Sequence, residues 1–195
     1  MSRLMVITSS TRPGRAGQAV ADWVVDLAAD TAFEVDPVDL QALALPLLDE
    51  PEHPSAGRYT QPHTKRWSTR VSEADAVVLV TPEYNHSFPA SLKNALDFLY
   101  REWADKPVGV VSYGGVSAGT RAAAALAPVL ASLQMRPVGA VHLQLSAHRS
   151  PQGQFAPTAN AATTARTMLD SLLDSLLGSS VTPSLAAAAQ TAERR

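Results

Sequence analysis

Asp75-Ala76-Val77-Val78-Leu79-Val80-Thr81-Pro82-Glu83-Tyr84-Asn85-His86-Ser87-Phe88-Pro89-Ala90-Ser91-Leu92-Lys93-Asn94-Ala95-Leu96-Asp97 is the stretch that decides the fold. Its apolar run, Ala76 to Val80, is short and rich in β-branched residues, which reads as a buried strand. Pro82 stops that strand, and a helical pattern starts near Ala90 with Leu92, Leu96 and Leu99 on one face. A strand that gives way to a helix through a short loop leaves that loop at the carboxyl edge of a sheet, where open α/β sheets bind ligands. The loop offers a phenol ring, an amide and a carboxylate between two prolines, a set that suits a planar, hydrogen-bonding ligand.

The pattern repeats on either side. Leu4 to Thr8 reads as a first strand, followed by the loop Ser9 to Gly14. A helix then carries Ala19, Val20, Trp23, Val24 and Leu27 on one face. Phe33 to Leu40 is a second strand. The segment from Pro46 to Pro62 is too proline-rich for a helix interior, and Thr64 to Glu73 is a basic amphipathic helix. The helix from Ala90 is expected to run to Trp103. Val108 to Tyr113 is a fourth strand, broken by Gly114-Gly115, and Thr120 to Leu133 an alanine-rich helix. Val138 to Leu143 is a fifth strand, and Ala161 to Leu177 a final helix with a broad apolar stripe. Residues 1–178 thus read as one domain and 179–195 as a disordered tail.

Alternating strands and helices imply a parallel sheet with helices on both faces. Five strands favour the order 2-1-3-4-5, the flavodoxin-like three-layer α/β sandwich, whose chain reverses direction between strands 1 and 3. The loops after strands 1, 3 and 4 then converge on one edge.

Composition narrows the chemistry. A net charge of −2 gives no reason to expect a nucleic acid or an anionic membrane as partner. The chain lacks cysteine, which excludes disulfides, thiolate metal sites and cysteine nucleophiles. Its five histidines show no metal-ligand spacing, and no metal site is expected. The start, Met1-Ser2-Arg3-Leu4-Met5-Val6-Ile7-Thr8, holds too short an apolar core for a signal peptide, so a cytoplasmic location is expected.

The loop Ser9-Ser10-Thr11-Arg12-Pro13-Gly14-Arg15-Ala16-Gly17-Gln18 brings hydroxyls and two guanidinium groups to a helix start, where backbone N–H groups and the helix dipole favour an anion. It is neither a Walker A sequence nor Gly-x-Gly-x-x-Gly, so a terminal phosphate fits better than a nucleoside triphosphate or a dinucleotide. A solvated strand–helix turn is the plainer alternative. Paired glycines in Ser112-Tyr113-Gly114-Gly115 permit close approach to a flat ligand. Gly115-Val116-Ser117-Ala118-Gly119 also matches the nucleophile elbow of serine hydrolases. That reading needs an acid and then a histidine after Ser117, but His142 and His148 precede the first later carboxylate, Asp170.

These loops resemble the NADPH-dependent FMN reductase family, through Ser10-Thr11-Arg12-Pro13-Gly14-Arg15, Pro82-Glu83-Tyr84-Asn85 with Leu92-Lys93-Asn94-Ala95, and Ser112-Tyr113-Gly114-Gly115. The likeness covers Arg3 to Arg166. Serine stands at Ser9, where the family usually has glycine and where a positive φ would be uncomfortable. The resemblance implies that Ser10, Thr11, Arg12, Arg15 and Gln18 hold the phosphate of FMN. By the same likeness Pro82, Glu83, Tyr84 and Asn85 border the ribityl chain and ring, and Ser112, Gly114 and Gly115 lie against the pyrimidine end. It implies hydride transfer from NADPH or NADH through the flavin to a small-molecule acceptor such as a quinone, an azo compound or free flavin. No side chain acts as acid, base or nucleophile in this reading. A homodimer or tetramer is implied as well, with a contact through the helix Ala90 to Trp103. An FMN-binding electron carrier without nicotinamide activity is the alternative in another class.

Overall fold

The structure is a computed structural model that describes residues 1–179. All but Ser179 of the expected tail lies outside the described residues. Five strands, β1 (Ser2–Thr8), β2 (Phe33–Asp39), β3 (Ala76–Pro82), β4 (Pro107–Gly114) and β5 (Arg136–Gln144), form one sheet of order β2-β1-β3-β4-β5. Every pairing is parallel. The expected flavodoxin-like topology is therefore the observed one.

Strand residues alternate between the two faces because the pleat has a period of two. Leu4, Val6, Val78 and Val80 pack with α1 (Gly17–Ala29) and α6 (Ala159–Ser179). Met5, Ile7, Val77 and Leu79 face α2 (Leu40–Leu43), α3 (Pro62–Ser72), α4 (Ala90–Asp97) and α5 (Thr120–Ser132). α6 lies close on the sheet: a Cβ added to Gly109 would fall 2.7 Å from Met168 Sδ, and one added to Gly139 would fall 3.2 Å from Met168 Cγ.

The helix expected over Ala90 to Trp103 stops at Asp97 and is followed by a single 3₁₀ turn, Arg101–Trp103. Tyr100, at φ −137° and ψ −63°, leaves the helical region. Two indoles add to the bonds of the last carbonyls of α4: Trp67 Nε1 donates to Ala95 O at 2.9 Å and Trp103 Nε1 to Leu96 O at 3.1 Å, where Leu99 N also donates at 3.3 Å. Phe98, Leu99 and Trp103 are buried in the chain's own core. These apolar residues are thus covered by the chain itself, because the chain turns inward where a continued helix would have kept them outside.

The proline-rich excursion between α2 and α3 is held by side chains. Glu50 accepts hydrogen bonds from Thr60 N, Thr60 Oγ1 and Gln61 N at 2.8–2.9 Å. Burial would raise the pKa of Glu50, but these bonds outweigh it and lower the value to about 2. Among the described residues no helix is long and apolar enough to cross a membrane.

Candidate functional site

The loops after β1, β3 and β4 meet at the carboxyl edge of the sheet. Between them lies a cleft of about 190 Å³ lined by Arg12, Arg15, Pro82, Glu83, Tyr84 and Tyr113 with Ala16, Gly114, Gly115 and Leu145. Seven of the residues singled out from sequence therefore border one space: Arg12, Arg15, Pro82, Glu83, Tyr84, Gly114 and Gly115.

The first loop is anchored from below. Ser9 N and Ser9 Oγ both donate to Val80 O, at 3.0 and 2.8 Å, and Ser91 Oγ donates to Ser9 O. Ser9 is not among the residues with positive φ, so serine sits here without strain. Ser10 is fully buried, and its hydroxyl meets Tyr84 Oη at 2.7 Å, tying the first loop to the second. Thr11 is exposed and lines a separate cleft between α2 and α4. Arg12 is exposed; no hydrogen bond or ion pair of its side chain occurs among the described residues, while its N–H faces Ser10 Oγ at 3.4 Å.

The second arginine is committed. Arg15 Nη2 donates to Asp39 Oδ2 at 2.6 Å, at the end of β2, and more loosely to Gln18 Oε1 at 3.4 Å. Gln18 Nε2 in turn donates to Asp22. No side chain caps the start of α1. Arg12, the first-turn N–H groups and Arg15 Nε, which is buried without a partner among the described residues, are what this loop offers to an external anion.

The second loop is a tight turn. Tyr84 N donates to Ser87 O at 2.8 Å and Ser87 N to Tyr84 O at 3.0 Å. Asn85 and His86 between them have φ of 49° and 65°, the left-handed pair of a type I′ turn. The turn keeps Asn85 and His86 in solvent and Tyr84 against the first loop.

Glu83 joins the second loop to the third. Its N–H donates to Tyr113 O at 3.0 Å, and its carboxylate accepts from Arg121 N at 3.1 Å and Arg121 Nη1 at 3.4 Å. Burial acts to raise the Glu83 pKa, and hydrogen bonds from Ser117 and Arg121 overcome it, so the carboxyl stays below its ordinary value. Ser117, the residue of the elbow-like sequence, thus serves Glu83, and no hydrogen bond between it and a histidine occurs among the described residues. The buried serine that does meet a histidine is Ser112, whose Oγ lies 2.7 Å from His142 Nδ1 and donates to Ala118 O at 3.1 Å. Ser112 braces β5 and the third loop from inside.

Gly115 leaves open space, with no atom within 4 Å of an added Cβ. Gly119 is constrained instead: at φ +82°, an added Cβ would lie 2.6 Å from Tyr113 N. Gly17 is constrained as well, because its Cβ would lie 2.3 Å from Tyr113 Oη. These two glycines and Tyr113 escape a reading of the sequence, since their roles arise from what stands opposite them in space. Tyr113 is 4% exposed, and its hydroxyl is buried without a hydrogen-bond partner. Burial, and then the neighbouring Tyr84, push its pKa well above the ordinary tyrosine value.

Among the described residues the cleft thus gathers donors without acceptors: the Arg12 guanidinium, Arg15 Nε, an uncapped helix start and the Tyr113 phenol. An acceptor-only group such as a phosphate fits that set, and the open backbone at Gly115 leaves room for a flat ring. The fold defines a flavodoxin-like protein whose first loop presents donors to the cleft. Sequence comparison specifies the class further: residues 2–149 match the family described as NADPH-dependent FMN reductase, and the chain belongs to that family. It is 44% identical to an NAD(P)H-dependent FMN reductase of Schizosaccharomyces pombe over 69% of this chain and 68% of the yeast protein. It is 28% identical to an NADPH:quinone oxidoreductase of Arabidopsis thaliana over 77% of each chain. The flavoenzyme NAD(P)H:(acceptor) oxidoreductase FerB of Paracoccus denitrificans shares the fold, with a TM-score of 0.71 and 22% identity over 91% of this chain and 98% of that one.

Proposed function

We propose that this chain is an FMN-dependent NAD(P)H oxidoreductase that passes electrons to a small acceptor of the quinone type, with the cofactor held in the cleft between the three loops. Bound FMN supplies the redox chemistry, taking hydride from NAD(P)H and delivering electrons to the acceptor; the protein supplies binding, orientation and electrostatics. Arg12 and the first turn of α1 receive the phosphate, with the Ser10 hydroxyl beneath them. Pro82 and Tyr84 border the ring on one side, Gly114 and Gly115 on the other. Glu83 and Ser112 act at one remove, holding the third loop in place through Arg121, Ser117 and His142. Arg15 shapes the first loop through its ion pair with Asp39.

The observation that carries this reading is the set of unpaired donors at the start of α1, in a chain of this family. A quinone acceptor is supported by the name of the plant relative. A homo-oligomer belongs to the same reading on family grounds, and light scattering at micromolar concentration tests it. The decisive experiment adds FMN to purified protein, removes the excess by gel filtration, and reduces the product anaerobically with NADPH and NADH. Retained flavin absorbance that bleaches with either nucleotide, and recovers with a quinone, is the expected result. Colourless protein refutes the reading, and flavin that stays oxidised moves the chain to the electron carriers.

A further inference from the structure

We infer that a second cleft, between the start of α1 and a hairpin after β5, is a nucleotide subsite that takes the adenylate half of a flavin dinucleotide, so that the chain accepts FAD as well as FMN. The inference rests on the FMN reading above. This cleft holds about 250 Å³, more than the 190 Å³ between the three loops, which is room for a ring system rather than for an ion alone. Gly14 and Ala16 stand on one side of it, and His148, Arg149, Gly153 and Phe155 on the other. Both clefts are lined by Ala16 and Leu145, so they adjoin. Ala16 follows Arg15 in the first loop, which places the junction at the phosphate end of the flavin reading. A group in the second cleft is thus an extension of the phosphate, not of the ring.

The hairpin is fixed by its own backbone: Ala156 N donates to His148 O and Ser150 N to Gln154 O, both at 2.8 Å. It brings two donors to the cleft. Arg149 Nη1 donates to Gly153 O at 3.1 Å, and no ion pair of this guanidinium occurs among the described residues. His148 is 8% exposed, and its Nδ1 accepts from Thr158 N at 3.3 Å. That bond puts the proton of the neutral ring on Nε2, and burial favours the neutral ring by lowering its pKa. Nε2 has no hydrogen-bond partner among the described residues, in a side chain that lines the cleft.

Two donors without acceptors suit a group that only accepts, and a phosphate is such a group. The Phe155 ring gives a flat base an apolar surface, and no atom lies within 4 Å of a Cβ added to Gly14 or Gly153. A phosphate, a flat base and an origin at the phosphate of FMN together describe an adenosine phosphate joined through a pyrophosphate. The first loop lacks Gly-x-Gly-x-x-Gly, the pattern that seats a whole pyrophosphate on one helix start. Here the second phosphate falls to Arg149 and His148.

The test is calorimetric titration of the flavin-free protein with FMN and with FAD, in wild type and in Arg149→Ala. Arg149 is exposed, and equal thermal midpoints check that the variant keeps its fold. We expect wild type to bind FAD at least as tightly as FMN. Arg149→Ala should weaken FAD roughly tenfold to a hundredfold, the span of one charge-assisted hydrogen bond, and FMN by less than about twofold. FAD that binds wild type tenfold or more weakly than FMN overturns the inference, and so does an equal loss of both flavins in the variant. A KM for NADPH that rises in the variant while FAD affinity holds assigns the cleft to the nicotinamide nucleotide and overturns it as well. If wild type binds neither flavin, the proposed function fails and this inference with it; if it binds FMN and FAD affinity does not depend on Arg149, only this inference fails.

Discussion

Two helices start at the same edge of the sheet, α1 after β1 and α5 after β4, and their first turns are treated in opposite ways. α5 receives a carboxylate from inside the molecule: Glu83 accepts from Arg121 N and pairs with the Arg121 guanidinium. Among the described residues no side chain caps α1, and Arg12 in front of it is exposed with no side-chain partner. The physics is the same at both ends, since each presents N–H groups and a positive dipole to an anion. One end is filled by the protein and becomes structure. The other stays open, as the proposed phosphate site requires.

Closing the gap between the two should cost most where the filled end is packed tightest. Gly119→Ala puts a methyl group 2.6 Å from Tyr113 N at a residue with φ +82°. Left-handed strain and overpacking together should destabilise the protein by roughly 2–5 kcal/mol, read by urea unfolding. A variant as stable as the parent would show that the third loop is not fixed by this contact.

Arg12→Ala tests the open end. Losing a charge-assisted hydrogen bond of about 1.5–3 kcal/mol should weaken FMN tenfold to a hundredfold or more and leave riboflavin nearly unchanged. Equal weakening of both ligands would mean that Arg12 supports the fold or the ring, and the contrast with α5 would collapse.

Glu83→Gln removes the internal anion. The thermal midpoint should fall by a few degrees at neutral pH. The folded-state pKa of Glu83 lies below its ordinary 4.5, so its contribution is full above that pH and fades as pH falls through the lowered value. The gap between variant and parent should therefore narrow only below pH 4.5; a gap constant down to pH 3 would show that the carboxylate charge is not what caps α5. The smallest effect is expected for Arg15→Ala, below about threefold on the FMN-to-riboflavin ratio, because Asp39 already holds that guanidinium at 2.6 Å. A change as large as that for Arg12 would place both arginines on the phosphate.

Strand order and the three converging loops were legible in the sequence because each depends on local pattern. Runs such as Ala76 to Val80 leave little choice of structure, and Pro82, Gly114 and Gly115 mark where they stop. What escaped was pairing across the fold. Arg15 and Arg12 look alike in one loop, and only the place where β2 ends, at Asp39, separates them. Ser112 is turned inward by His142, its register partner on β5. The stretch Phe98 to Trp103 has the same apolar spacing whether it continues a helix or folds beneath one, and the indole bonds decide for the second.

Those indole bonds also make the molecule optically self-reporting. Trp67 and Trp103 are almost completely buried, with ring centroids 5.9 Å apart, and both are fastened to the carboxyl end of α4. The other end of α4 holds Ser91, whose hydroxyl is fastened to Ser9 at the floor of the first loop. α4 thus links the floor of the first loop to a pair of dry chromophores about 7 Å further along its axis, at 1.5 Å per residue. A change at the loop is thus expected to alter the intrinsic emission of that pair, read without any label attached.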